Sequence, residues 1–323
     1  MAESAAGRRH HGVAGGGRAG ESLGLRCAAE SLGRGEPLVA TASRVQRWMI
    51  VEQPGAWGVD ALAESKLDPD TAAGLAAAAR AHGVRVLLAR RYANQRQLGP
   101  TRTVFLAHSG TERWWIEQLD IDAADPKALL AIDLGLLAFP EPPGIGMPGP
   151  ASLHLVCTNG RHDPCCADLG RPVVRALTDA DAPDVWECSH VGGDRFAANI
   201  VCLPEGIYYG RVDPGRAAPL VADHRDRMID LDRYRGRSCY GPLVQAAEAF
   251  GRLHLGERRI DGMSVLDTER RPDGAVAVRL QQRDGATLDV VVTRERSDAP
   301  VQMTCHGGPG VPWRYRLVEI GSL

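Results

Sequence analysis

Several features that mark common protein classes are missing from this chain of 323 residues. It has no apolar run long enough for a signal-peptide core or a membrane helix. Its formal net charge is only -2, so it lacks the basic field that nucleic-acid binding requires. It contains no P-loop motif, which argues against the P-loop class of nucleotide-binding proteins. We therefore expect no membrane or nucleic-acid partner and a cytoplasmic location.

Cysteine is also scarce, with eight in the chain, but its distribution is uneven. No two cysteines have the CxxC spacing of a dithiol redox motif, and cytoplasmic cysteine clusters more often serve metals or redox chemistry than structural disulfides. Five of the eight fall in one short region: Cys157, Cys165, Cys166, Cys188 and Cys202. This region is the main clue to function.

The order of sequence patterns predicts an α/β protein with several parts. Residues 139–150, "FPEPPGIGMPGP", are too rich in proline and glycine for a regular helix or strand and form the predicted linker. We expect the following parts: a disordered arm at 1–40, an N-terminal α/β unit at 41–138, that linker, a second α/β unit at 151–258 and a C-terminal β extension at 259–323.

The second α/β unit reads as strand, loop, helix, strand, hairpin and helix. This is the order of a thioredoxin-type sandwich, in which a loop at the carboxyl end of the first strand carries the chemistry. The N-terminal unit has a similar order, which leaves open a second copy of that fold. No residue motif repeats between the two units.

Two stretches carry the candidate ligands, "CTNGRHDPCC" and "CSHVGGDRFAAN". Cys157 ends a predicted strand, and only one of the adjacent Cys165 and Cys166 can easily turn toward it. If Cys188 and His190 both lie in a strand, they share one face of it. Such mixed cysteine and histidine ligation suits a [2Fe-2S] cluster or a zinc ion.

The spacing of Cys157 and Cys166, the stretch "WECSHVGGDRFAANIVCLPEGIYYGRV" and the earlier "MIVEQPGAWG" resemble the sucrase/ferredoxin-like family. The resemblance covers nearly the whole chain from about residue 45. It implies a thioredoxin-like ferredoxin that binds one [2Fe-2S] cluster, with Cys157, Cys166 and His190 as ligands. It also implies single-electron transfer and no glycosidase activity.

The family's second histidine ligand would fall on Asp194, and here the chain departs from the pattern. A carboxylate is a harder and weaker ligand for a soft cluster than imidazole or thiolate. Cys188 is therefore our first choice for the fourth ligand and Asp194 the second. Cys165, Cys202 or the loss of the cluster are the remaining possibilities.

The predicted function is thus electron transfer between a reductase and an unknown acceptor, without an organic substrate. Zinc binding by Cys157, Cys166, Cys188 and His190 is one alternative. A thiol-disulfide oxidoreductase is another, weakened by the missing CxxC. A hydrolase lacks a recognisable carboxylate pair, and a scaffold without a cluster is the simplest alternative.

Overall fold

The computed structural model describes residues 26–92 and 99–321. Its centre is a ten-stranded mixed sheet to which two similar units contribute, and a separate four-stranded sheet follows. The protein is therefore a mixed α/β structure with a C-terminal β addition, as the sequence predicts. No helix in the described ranges combines the length and apolar character needed to span a bilayer.

The N-terminal unit has the strand order of a thioredoxin-like sheet. After a short helix α1 (Cys27–Gly33), its elements are β1 (Arg47–Glu52), α2 (Pro69–His82), β2 (Val84–Arg90), β3 (Thr101–Ser109) and β4 (Trp114–Asp122). β1 pairs in parallel with β2 and antiparallel with β3, and β4 continues the sheet beyond β3. The second copy that the sequence leaves open is thus present in the topology.

The second unit repeats this order. Its elements are β6 (Leu153–Cys157), α3 (Pro164–Asp179), β7 (Val185–Cys188), β8 (Ile200–Leu203), β9 (Ile207–Tyr209), α4 (Pro214–Arg225), β10 (Tyr234–Arg237) and α5 (Pro242–Leu255). β6 pairs in parallel with β7 and antiparallel with β8, and β9 pairs with β8. The predicted thioredoxin-like arrangement is therefore confirmed for this unit.

The two units share one sheet because β2 and β7 pair antiparallel, with Ala89 opposite Cys188 and Arg90 opposite Glu187. Arg90 Nε also donates to Glu187 Oε2 over 2.9 Å in the buried interior. Alternate residues of the sheet enter cores on opposite faces, as in β1, where Trp48 and Ile50 face one core and Met49 and Val51 the other. Buried cores therefore cover both faces of the shared sheet.

The C-terminal sheet consists of β11 (Met263–Arg270), β12 (Val276–Gln282), β13 (Thr287–Arg296) and β16 (Trp313–Gly321). Helix α5 packs against it: Ala246 and Ala247 share a buried core with β12 and β13. Two short strands, β14 (Val301–Gln302) and β15 (Pro309–Gly310), pair with each other before β16. The predicted β extension therefore has four main strands, one more than the three visible in the sequence.

Three local expectations need correction. The predicted arm is ordered from Arg26 onward, because α1 buries Cys27 and Ala28; residues 1–25 lie outside the described residues. The predicted linker contributes strand β5 (Met147–Pro148), which pairs with β4, while the Glu117 carboxylate accepts hydrogen bonds from neighbouring backbone N–H groups. The sequence pattern of residues 126–138 predicts one helix, but these residues form two short 3-10 helices.

His154 in β6 gives a test of this core. It is fully buried, and burial, followed by the nearby His224, lowers its pKa to about 3. The unfolded chain, with a histidine pKa of about 6.5, binds more protons between these values, so this group reduces stability as the pH falls below about 6.5. In urea unfolding, we expect His154→Gln to gain roughly 2 kcal/mol relative to wild type between about pH 6.5 and about pH 5.

The matched control is His254→Gln, since His254 is exposed at the end of α5. The pH-dependent gain of His154→Gln should exceed that of this exposed-site variant over the same pH range. A His154→Gln gain that is no larger than that of the control would contradict the buried, neutral state of His154.

Candidate metal centre

The carboxyl end of β6 and the first turn of α3 bring two thiols together. Cys157 is the last residue of β6 and Cys166 lies in the first turn of α3, and both side chains are buried. Asp163 caps the helix by accepting from the Cys165 N–H over 2.9 Å, and Pro164 follows at a position that tolerates proline. The helix therefore begins at the point that carries Cys166 back to Cys157.

Close contact between α3 and β6 depends on Gly170. A methyl group at this position would lie 2.2 Å from the Cys157 carbonyl oxygen, which is backbone and cannot move aside cheaply. The helix thus passes directly over the end of the strand, so that the thiols of Cys157 and Cys166 lie within 4.8 Å of each other and of a ring nitrogen of His190.

His190 and Asp194 reach this point from a loop after β7. The loop passes through Gly192 and Gly193, whose φ angles of 98° and 81° favour glycine. Arg235 lies below the loop, and its guanidinium donates to the Gly192 carbonyl. The tight turn places Asp194 Oδ1 3.0 Å from His190 Nδ1 and 3.2 Å from Cys166 Sγ, whose thiol donates to it.

His162 completes the group. Its ring stacks on that of His190, with centroids 3.7 Å apart and an interplanar angle of 16°. Its Nδ1 lies 3.2 Å from the Val59 carbonyl, so Nδ1 carries the proton and donates to this oxygen, while Nε2 lies 3.9 Å from Asp194 Oδ2. From the sequence alone, His162 is expected to be a surface or hydrogen-bonding residue, although it lies within the same cysteine-rich stretch.

Electrostatic effects within the group favour one thiolate and one charged imidazole. The neighbouring Cys166 side chain lowers the pKa of Cys157 well below its usual value despite burial, and Cys157 in turn raises the pKa of Cys166. Burial opposes the charge on His190, but Asp194 and Cys157 outweigh it and raise its pKa to about 9. The same histidine lowers the pKa of Asp194 against the effect of burial.

Cys188, the first choice of the sequence analysis for the fourth ligand, is not a member of the metal-capable groups among the described residues. The argument for it assumed that Cys188 and His190 alternate along one strand, but β7 ends at Cys188. Its side chain packs in the apolar core instead, where burial raises the thiol pKa well above its usual value. Asp194, the second choice, lies in the group.

The two remaining cysteines of the region are elsewhere. Cys165 faces away from Cys166 and lies 3.7 Å from the thiol of Cys27. Cys202 is fully buried in β8, where its sulfur lies 3.3 Å from His154 Nδ1. Adjacent cysteines in the first turn of α3 therefore serve different surroundings.

Comparison with known proteins identifies the family of this chain. The family model described as sucrase/ferredoxin-like matches residues 38–236, which include both thioredoxin-like units up to β10. The chain belongs to the sucrase/ferredoxin-like family. No curated protein matches the sequence.

Among solved structures, a cysteine-to-serine variant of the thioredoxin-like [2Fe-2S] ferredoxin from Aquifex aeolicus is similar to part of this family member. The two are 17% identical over 27% of this chain and 99% of the ferredoxin, with a TM-score of 0.24.

The contact at Gly170 can be tested directly. We expect Gly170→Ala to destabilise the protein by about 1–3 kcal/mol in chemical unfolding, because the added methyl group must push α3 away from the end of β6. Gly33→Ala at the end of α1 is the control, since no described atom lies within 4 Å of its added methyl group. Equal stability of the two variants would contradict the close helix contact.

Proposed function

We propose that this sucrase/ferredoxin-like protein binds a [2Fe-2S] cluster and transfers single electrons. The observation that carries the proposal is the convergence of the Cys157 and Cys166 thiols with His190 at the carboxyl end of β6. The proposal therefore rests on this chain's own donor residues in addition to the family to which it belongs.

The donor set fits such a cluster in its chemistry. Thiolates are the usual ligands of iron–sulfur clusters, and imidazoles replace two of them in Rieske-type centres. His190 Nδ1 is buried and, despite its short distance to Asp194, has no partner in hydrogen-bond geometry within the described residues. A buried nitrogen without such a partner is costly, and coordination would satisfy it.

The candidate ligands form two overlapping groups of donor atoms. Cys157, Cys166 and His190 form one set of neighbouring donors, and His162, His190 and Asp194 form another, so His190 belongs to both. The sulfur donors lie on the inner side and the imidazoles on the outer side. The buried thiols would therefore hold the cluster from the inner side and the imidazoles from the outer side.

His162 is our proposed fourth ligand. Ligating histidines commonly donate their second ring nitrogen to a carbonyl, and His162 Nδ1 already does so at Val59. Imidazole is also a better match for the cluster than a carboxylate. Asp194 would then act on the ligands, because its carboxylate lies within 3.9 Å of both histidine rings and accepts from Cys166.

The buried thiols and the partly exposed imidazoles would have different roles in the proposed centre. Cys157 and Cys166 are almost completely buried and would hold the cluster in an apolar environment. The side chains of His190 and His162 are 20% and 30% exposed, so electrons and protons would reach the centre through the imidazoles. When bound, the cluster would supply the one-electron oxidation and reduction, and imidazole ligation would raise its potential relative to an all-cysteine site.

The partners follow from this chemistry. An electron-donating reductase and an electron acceptor would dock over the exposed histidine edges, where the path to the centre is shortest. We also propose that the protein works in the cytoplasm without nucleic-acid or membrane partners, as its composition predicts.

A zinc site is the second candidate. Cys157, Cys166 and His190 have donor atoms within 4.8 Å of one another, and Asp194 Oδ1 lies 3.2 Å from Cys166 Sγ, which is compact enough for one tetrahedral ion. Zinc carries no colour and no redox activity, so it is readily distinguished from an iron–sulfur cluster. A thiol-disulfide role for Cys157 and Cys166 would likewise give a colourless protein.

The visible spectrum with iron and acid-labile sulfide analysis is the decisive measurement on anaerobically purified protein. We expect red-brown protein with about two irons and two sulfides per chain. Cys157→Ser and Cys166→Ser should each lose the colour and the iron. Cys202→Ser, the same change at a buried cysteine outside the site, should retain both.

Colourless wild-type protein after anaerobic reconstitution would exclude the cluster. If zinc were then present and lost in Cys157→Ser, the second candidate would replace the first.

The fourth ligand is tested by replacing its candidates one at a time. We expect His162→Ala to lower the iron content or change the electron paramagnetic resonance spectrum of the reduced protein, because a ligand is lost. Cys188→Ala should leave the spectrum unchanged. Asp194→Asn should retain the cluster but shift the pH dependence of its potential, since the carboxylate beside both imidazoles loses its charge.

An unchanged spectrum in His162→Ala together with cluster loss in Asp194→Asn would assign the fourth position to Asp194 instead.

A further inference from the structure

A second group of potential ligands lies on the opposite side of the first turn of α3. It consists of the thiols of Cys27, Cys165 and Cys305 and the carboxylate of Asp163. These residues come from three distant parts of the chain: the start of α1, the start of α3 and the segment between β14 and β15. None of them belongs to the candidate metal centre described above.

The three sulfur atoms form a nearly regular triangle. Cys27 Sγ lies 3.7 Å from Cys165 Sγ and 3.6 Å from Cys305 Sγ, and Cys165 Sγ lies 3.4 Å from Cys305 Sγ. Zn–S bonds of about 2.3 Å at tetrahedral angles place the sulfurs about 3.8 Å apart. A disulfide bond is about 2.0 Å long, so these separations fit coordination of a shared ion and not a covalent bond.

Asp163 supplies a fourth donor group next to the three thiols. Its two oxygen atoms lie 3.8 and 3.7 Å from Cys27 Sγ. One oxygen accepts from the Cys165 N–H over 2.9 Å and the other from the Cys305 N–H over 2.6 Å. Each carboxylate oxygen has two lone pairs, so these bonds orient the group and still leave electron pairs for a metal.

We propose that Cys27, Cys165, Cys305 and Asp163 form a structural zinc site. Three thiols and a carboxylate give the closed four-ligand set that structural zinc requires. Cys27, Asp163 and Cys165 are almost completely buried, whereas Cys305 is half-buried and lies on the side from which an ion can enter. Assembly of the site closes two long loops of the chain at a single point.

The site has a mechanical consequence for the neighbouring centre. Cys165 and Cys166 are consecutive, so an ion bound at Cys165 and Asp163 fixes the turn that also carries Cys166. It also attaches α1 and the β14–β15 segment to this turn. The zinc site is independent of the proposed cluster, since the two share no ligand.

Zinc and iron content of the purified full-length protein tests the proposal. We expect about one zinc per chain in wild type. Cys27→Ser and Cys305→Ser should lose most of it, while Cys202→Ser, the same change at a buried cysteine outside both groups, should keep it. Cys305→Ser should retain the iron and visible spectrum of wild type, because Cys305 touches only the zinc group.

Cobalt gives a second measurement that does not depend on the stability of a variant. Titration of zinc-depleted wild-type protein with Co²⁺ should produce thiolate-to-cobalt charge-transfer bands and the intense visible bands of tetrahedral cobalt. At the Co²⁺ concentration that saturates wild type, Cys305→Ser should lose most of these bands, as it loses most of the zinc.

The proposal is overturned if Cys305→Ser binds as much zinc as wild type, or if wild type binds neither zinc nor cobalt. Thiol titration that finds a disulfide among Cys27, Cys165 and Cys305 in metal-free protein isolated under reducing conditions would also overturn it. Iron-free wild-type protein whose zinc is lost in Cys305→Ser and kept in Cys157→Ser would refute the electron-transfer proposal and leave the zinc site intact.

Discussion

The first turn of α3 is the constraint on which the rest of the site depends. Asp163 caps the helix, Gly170 allows it to cross the end of β6, and Cys157 and Cys166 meet as a result. The hydrogen bond from the Cys165 N–H to the Asp163 carboxylate determines the residue at which the helix begins. A shift of the helix start by one residue would exchange the positions of Cys165 and Cys166. The cap at Asp163 and the close approach of Gly170 to β6 therefore decide which thiol faces which group of candidate ligands.

Much of the fold could be predicted because its patterns are local. The cap at Asp68, Pro69 and the left-handed Gly83 define α2, and the buried run of β1 follows from its apolar residues. The strand-helix-strand order of both units could be read in the same way. The pairing of β2 with β7 could not, since contacts between distant strands leave no periodic signal in one sequence.

The candidate site was predictable where two candidate ligands are close in sequence and unpredictable where folding brings them together. Cys157 and Cys166 are separated by one loop, and the structure brings their thiols together as the spacing predicts. Cys188 was overrated because strand alternation was extended two residues beyond the end of β7. Cys305 carried no local signal, because it lies 140 residues beyond Cys165. His162 lies in the cysteine-rich stretch, but only the fold shows that its ring stacks on His190.

The shared sheet determines how the second thioredoxin-like unit would behave if it were isolated. In an isolated copy, β7 would be an edge strand with unpaired backbone groups, which are a template for association with other chains. Here β2 covers that edge, and Arg90 neutralises the buried Glu187 beside it. A fragment cut at the 139–150 segment would expose both the edge and an uncompensated carboxylate. The N-terminal unit contributes no cysteine to the candidate centre, but it covers the strand edge and the buried carboxylate of the unit that does.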